Sequence, residues 1–521
     1  VSGNRIPAEY FRSLQVVAFK IIGKISIFKA NFNFMKTLTE LQPTLIWHYF
    51  SEILKIPRPS GKEKMIGEYI ITVAREHKLE YKKDKAGNIL VTRKAGPGFE
   101  NLEPVCLQSH LDMVCEKNSS SSHNFDTDPI AAYVDGEWVK ARETTLGADN
   151  GIGIAAELAV LTDQEALYGP VECLFTVDEE TGLNGAKCLE SDFFTSRVLL
   201  NLDSEDEGEL FIGCAGGMNT IASIKYKSKN TPVDSRSCRI TISGLLGGHS
   251  GTDIEKDRGN SIKILNEILW EARNRFDVRL TAFEGGNLRN AIPREAYAII
   301  VMPDKYVEVF EDFFYDLTKK LAAEIHLAEP DFSISLEETE LPPRILKKKS
   351  QEKLLNALYI CPNGVISWSK TMPGLVETST NLASLKFGPS QTIQISTSQR
   401  SSDDIAKQAI ANKVRSTFKL AGAKVEHSEG YPGWNPNPAS AILSLTGASY
   451  KKIFGNEPKV KAIHAGLECG LFLEKYPYLD MISFGPTILD AHSPNERLHI
   501  GTTEKFWKLL TDVLKNMPMA G

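Results

Sequence analysis

The sequence predicts an α/β domain, a mixed sheet flanked by helices, interrupted by an inserted α+β domain. Three observations support this. Short, nearly continuous apolar runs at 105–107, 171–177 and 198–202 alternate with helical stretches, the pattern of strands buried on both faces. In the middle of the chain the texture changes to strands accompanied by long amphipathic helices, an α+β layer with one face open. The first texture then resumes with a helix at 439–454 and a fourth apolar run at 481–484. The chain has 521 residues, enough for two or three compact units, and its 42% hydrophobic and 24% charged residues are the composition of a folded protein.

Taken in order, Leu45, Ile46, Phe50, Ile53 and Leu54 recur at helical spacing, and a second amphipathic helix at 62–77 follows the Ser60-Gly61 break. The run at 105–107 is the first strand, the alanine- and leucine-rich stretch 151–161 a helix, and 171–177 and 198–202 further strands. In the middle, 238–243 and 297–302 read as strands, 261–273 and 305–325 as helices, and the strand 392–396 precedes a helix at 403–420. Two similar strand-and-helix units are expected side by side there, without a clean sequence repeat. Tyr431-Pro432-Gly433-Trp434-Asn435-Pro436 then breaks the pattern. The expected division is a discontinuous domain at 35–216 and 432–521 with an inserted domain at 217–431. Residues 1–34 read as an extension without assigned function, disordered or a loosely docked helix, because Met35-Lys36-Thr37 resembles a natural start. The apolar stretch 16–28 is interrupted by Lys20 and Lys24 and is too short to span a bilayer.

The net charge of -6 supplies no basic field, so neither nucleic acid nor membrane is an expected partner, and a small substrate fits better. Eight scattered cysteines without a CxxC pair read as buried thiols of a reducing compartment, and the cytoplasm is the expected location.

Chemistry-bearing residues sit just beyond the apolar runs. His110 and Asp112 follow the first, Asp178-Glu179-Glu180 the second, Asp203 the third and His492 the fourth. Ligand sites of open α/β sheets form outside the carboxyl ends of strands, so these groups should converge. Imidazole with several carboxylates suits zinc, cobalt or manganese and fits a two-metal site. Glu179 and Glu180 are adjacent and point different ways, so one can ligate while the other faces a reacting water as general base. In His110-Leu111-Asp112 the carboxylate can hold the imidazole in one tautomer. His48, His77, His123 and His326 have no such placement and read as structural or exposed. Gly151-Ile152-Gly153-Ile154-Ala155-Ala156 matches a dinucleotide fingerprint, but no convincing strand precedes it, and Asp149-Asn150 puts negative charge where a pyrophosphate would sit. These glycines are better read as letting a helix start close beneath an aspartate.

Ser109-His110-Leu111-Asp112-Met113-Val114, Thr145-Leu146-Gly147-Ala148-Asp149-Asn150-Gly151, Asp178-Glu179-Glu180-Thr181-Gly182 and Asn201-Leu202-Asp203 closely resemble the metallopeptidase M20 family. Its aminoacyl-histidine dipeptidase branch is the nearest likeness. The resemblance runs from about Met35 to the carboxyl terminus and includes Gly247-Gly248-His249-Ser250-Gly251, Arg289-Asn290-Ala291-Ile292-Pro293 and His464-Ala465-Gly466-Leu467-Glu468. It implies a zinc-peptidase-like catalytic domain with an inserted lid, and a metal-dependent dipeptidase acting on dipeptides that include Xaa-His. Asp149 would bridge two divalent metals, zinc or else cobalt or manganese. His110 and Asp203 would complete one, Glu180 and His492 the other. Glu179 would be the base and Asp112 the orienting carboxylate. The family's peptide bond after the bridging aspartate, here Asp149–Asn150, is often cis. From the lid, His249 would donate to the oxyanion, and Asn290 and Arg400 would contact substrate, with Arg400 clamping the free carboxylate; Gly466, from the catalytic domain, would contact substrate as well. Lids of this kind also imply a homodimer. An N-acyl-amino-acid amidohydrolase or deacetylase would use the same metals and base, and a non-catalytic binding protein would usually have lost a ligand, which this chain has not.

Overall fold

The computed structural model describes residues 37–165 and 167–520. The extension at 1–34 lies outside the described residues. Two large sheets dominate. The first has eight strands in the order Glu80–Lys83, Ile89–Arg93, Val171–Thr176, Val105–His110, Val198–Asn201, Asp480–Ser483, Glu209–Cys214 and Lys459–Ile463. The four central strands run parallel, and Ile89–Arg93 and Glu209–Cys214 run against them, which makes the sheet mixed.

Side-chain alternation explains why the central runs are apolar throughout. Val105 and Leu107 face one core with Val171, Cys173, Leu200 and Ile482, while Cys106 faces a second with Leu174, Leu199 and Met481. Thr44–Ile53, Lys64–Glu76, Ala148–Thr162, Ala441–Phe454 and Ile500–Lys515 cover the first face; Asn184–Cys188 and Cys469–Lys475 cover the second. Burying one such Leu, Ile or Val contributes roughly 1.5–3 kcal/mol.

The second sheet has nine strands, all antiparallel, with helices on one face. It consists of two β-α-β-β-α-β units. One runs Ser235–Ser243, helix Ser261–Arg275, Arg279–Gly285, Ala296–Pro303, helix Val307–Ile325 and Ser333–Thr339. The other runs Gly216–Lys225, helix Lys348–Ile360, Val376–Gly388, Thr392–Ser401, helix Asp404–Leu420 and Lys424–His427. Both place their strands in the spatial order fourth, first, third, second, and they join edge to edge through their second strands at Gly285 and Leu385. Gly364–Trp368 is an added strand on Val376–Gly388. The first unit is thus inserted in sequence after the opening strand of the other, which hid the repeat.

The chain crosses between the two sheets twice, and the crossings are hydrogen-bonded to each other. Cys214 pairs with Trp434 and Gly217 with Tyr431 as antiparallel bridges. A four-stranded sheet of Ala132–Asp135, Trp138–Ala141, Arg497–His499 and Ile488–Leu489 flanks the first domain. Among the described residues no helix is long and apolar enough to cross a membrane.

Candidate metal centre

Strand ends meet at one rim of the first sheet. His110 ends Val105–His110, Glu179 and Glu180 follow Val171–Thr176, and Asp203 follows Val198–Asn201. These strands are parallel neighbours, so their carboxyl ends open on the same side. His492 arrives from the loop between Ile488–Leu489 and Arg497–His499, with a left-handed backbone (φ 61) that is uncommon outside glycine and clusters at functional sites.

Asp149 is the hub. Its Oδ1 lies 3.0 Å from His110 Nε2 and its Oδ2 3.1 Å from His492 Nε2. Asp203 Oδ1 is 3.3 Å from the same His110 nitrogen, and Glu180 Oε2 is 3.3 Å from the same His492 nitrogen. Each oxygen of Asp149 therefore faces one imidazole, and each of those imidazoles faces one further carboxylate. Ligand atoms of His110, Asp149 and Glu180 all lie within 4.8 Å of one another, and Glu180 Oε1 is buried without a protein partner. Two sets of nitrogen and oxygen donors sharing one carboxylate suit a pair of zinc-like cations.

The loop carrying Asp149 is moored by two buried charges. Glu496 accepts from the N–H groups of Leu146, Gly147 and Ala148 at 2.7, 2.9 and 2.7 Å. Arg58 donates to the carbonyls of Leu111 and Asp112 at 3.0 and 2.7 Å and also to that of Gly147. Gly147 (φ 71) and Gly151 leave room for the guanidinium, since a Cβ at either would come 2.7 Å from Arg58 Nη2. Helix Ala148–Thr162 then begins with Asp149 and Asn150 outside helical φ/ψ and a cis peptide between them. Asn150 Nδ2 donates to Asp203.

The charges are strongly coupled. Burial pushes Asp112 up, but its bond to His110, the hydroxyl of Ser60 at 2.7 Å and the N–H of Glu179 at 3.0 Å hold it below the usual carboxylate range. Ionised Asp112, 3.4 Å from His110 Nδ1, fixes that ring's orientation. Burial lowers His110, but Asp203, Asp112 and Asp149 outweigh it and raise the imidazole well above its ordinary value. Burial pushes Asp203 up to about 6 and Glu205 up to about 8. Glu179 is raised well above normal by burial, with Asp203, Glu468 and Glu180 adding to it and His110 opposing. Carboxylates packed this densely favour compensating positive charge.

A second cluster gathers around Arg400, on the strand Thr392–Ser401 of the inserted domain. His249 Nε2 lies 3.5 Å from Arg400 Nη2, and Arg400 Nη1 donates to Tyr431 Oη at 3.1 Å. His249 Nδ1 accepts from the N–H groups of Gly251 and Thr252 at 3.3 Å each. Burial, aided by Arg400, lowers His249 to about 4. Asn290 is exposed on the rim, its carbonyl accepting from Ser250 N–H at 2.7 Å, next to Ala291, which pairs with His249. Gly466 packs on Tyr431, where a Cβ would come 2.9 Å from the ring.

The segment 464–468 links the two clusters. His464 Nε2 is 2.7 Å from Ser379 Oγ in the inserted domain, while Glu468 accepts from Gln108 at 2.6 Å and Thr176 at 2.7 Å beneath His110. Sequence reading assigned no role to Arg58, Glu205, Tyr431, His464, Glu468 or Glu496. Glu468 and His464 belong to the family-like segment His464-Ala465-Gly466-Leu467-Glu468, but Arg58 and Tyr431 carry no local pattern.

Comparison with known proteins yields one family and a graded set of likenesses. The profile of peptidase family M20/M25/M40 matches residues 106–516. The cytosol non-specific dipeptidase of Escherichia coli strain K12 is 41% identical over 484 residues, covering 93% of this chain and all of that protein (100%). The crystal structure of aminoacylhistidine dipeptidase from Vibrio alginolyticus superposes with a TM-score of 0.87 at 40% identity, covering 93% of this chain and 99% of that one. Aminopeptidase PepT from Bacillus cereus, at 16% identity and TM-score 0.53 over 91% of this chain and 98% of that one, shares the fold.

Proposed function

The chain belongs to peptidase family M20/M25/M40, and from that premise we propose that it hydrolyses dipeptides, Xaa-His among them, at a two-metal centre on Asp149. The single observation that carries this is the division of Asp149, one oxygen toward His110 and the other toward His492. His110 and Asp203 would hold one cation and Glu180 and His492 the other, with zinc the best fit and cobalt or manganese alternatives. When bound, the pair would supply Lewis acidity and lower the pKa of the attacking water toward neutrality.

The protein's own groups do the rest. Glu179 takes the proton of the attacking water, and its buried carboxyl, which holds a proton more firmly than a surface one, passes that proton to the leaving amine. Asp112 keeps His110 in its ligating orientation. The Nε2–H of His249 donates to the oxyanion of the tetrahedral intermediate. Arg400 binds the free carboxylate of the substrate, which limits substrates to very short peptides. A cytoplasmic setting suits the eight cysteines, all of them free.

The test pairs two measurements. Chelation abolishes dipeptide hydrolysis and zinc, cobalt or manganese restores it, while Glu179→Gln keeps two metals per chain and loses turnover by several orders of magnitude. Hydrolysis indifferent to chelation, or a Glu179→Gln protein with near-normal turnover, removes this mechanism.

A further inference from the structure

Arg400 is 8% exposed, its Nε is buried without a partner, and among the described residues no carboxylate forms an ion pair with it. A buried, unpaired guanidinium is costly unless an anion completes it. Its two polar side-chain neighbours are His249 Nε2 at 3.5 Å and Tyr431 Oη at 3.1 Å, and neither is an anion. Arg400 donates to the phenolic oxygen, so the oxygen's lone pair is used and its own O–H remains free to donate. Tyr431 is half-buried, with its ring held between two glycines. A Cβ on Gly217 would lie 2.6 Å from Tyr431 Cζ, and one on Gly466 would lie 3.0 Å from Oη. Its backbone is pinned on both sides, Tyr431 N–H to Gly217 at 2.9 Å and Gly217 N–H to Tyr431 at 3.1 Å. Neither glycine has a left-handed backbone, so their smallness serves the ring and not a turn.

We propose that Tyr431 is a substrate-specificity residue: its phenolic O–H is the second donor, beside Arg400, to the terminal carboxylate of the dipeptide, and Gly217 and Gly466 exist as glycine to seat it. This rests on the reading of Arg400 as a carboxylate clamp. Gly466 then shapes the site through Tyr431 without touching substrate. Two donors on one carboxylate read its two oxygens, which a terminal amide cannot match because its nitrogen accepts nothing.

The experiment uses the metal-loaded full chain and compares a dipeptide with the same dipeptide carrying a C-terminal amide. Tyr431→Phe raises KM for the acid roughly tenfold, the worth of one hydrogen bond to a charged acceptor, with kcat, metal content and thermal midpoint held within twofold or a few degrees. Gly466→Ala has the same effect and adds little on top of Tyr431→Phe, since both displace one hydroxyl. Tyr431→Phe still raises KM in an Arg400→Lys background, which separates direct donation from mere positioning of Arg400. An unchanged KM in either background overturns the inference. A wild-type enzyme that cleaves acid and amide equally well instead defeats the clamp reading itself, whatever Tyr431 does.

Discussion

Histidines in this protein are told apart by their neighbours. His110 and His492 lie among carboxylates; the bonds of His492 to Asp149 and Glu180 push it up to about 11. His464 is buried at 7% exposure, and burial followed by the charge of Arg400 lowers it to about 3. The folded protein therefore keeps His464 neutral, while the unfolded chain protonates it near the ordinary value of about 6.5. Between those two values the unfolded state binds the extra proton, so stability falls as pH drops from 6.5 toward 3. At pH 5 the loss from this group is about 2 kcal/mol relative to neutrality. Urea denaturation at pH 7.5 and pH 5 should show a smaller difference for His464→Gln, which has no proton to gain. A variant as acid-sensitive as the wild type would assign the effect elsewhere.

At the scale of elements, helix Ala148–Thr162 must lie close against strand Val105–His110, and Gly153 allows it. A Cβ there would come 2.9 Å from Ser109 Cβ and would collide with the side chain of Asn150, the donor to Asp203. Gly153→Ala should cost roughly 1–3 kcal/mol of stability from overpacking. It should also weaken metal binding on the order of tenfold or more through displaced Asn150, measured by metal titration calorimetry on the folded variant. Unaltered affinity would mean that Asn150 does not govern Asp203. This helix also shows how far the sequence could be read. Its apolar run 151–161 was visible, and the fingerprint-like glycines were legible as close-packing positions. The entry at Ala148 was not, because Asp149 and Asn150 leave helical geometry there. Central strands announced themselves as apolar runs because both faces are covered. Edge strands such as Glu80–Lys83, exposed along its whole length, and Lys459–Ile463 did not, since pairing and not side-chain burial defines them. The proposed ligands could be named from the sequence because each follows a readable strand or a matched motif. Arg58 and Glu496 were not, because their work is done on backbone groups far away in sequence.

Across the whole molecule, one chain supplies both halves of the proposed substrate site: His249 from the inserted unit of the second sheet and Arg400 from the other meet at 3.5 Å. Pairing of two copies through this domain is a proposal for assembly that the site does not require. Specific activity per chain should therefore stay constant when the protein is diluted through any dimer dissociation seen by light scattering. Activity lost in step with dissociation would show that a second copy completes the site.

The order of strands in the first sheet also has a consequence for biosynthesis. Asp480–Ser483 fills the place between Val198–Asn201 and Glu209–Cys214, strands made long before it. Until Asp480–Ser483 has been made, those early strands lack the neighbour that lies between them, whereas all four strands of the inserted unit of the second sheet have been made once Ser333–Thr339 has emerged. If His492 holds a metal as proposed, a chain still lacking the segments that carry it to Asp149 has an incomplete centre and should show no hydrolysis.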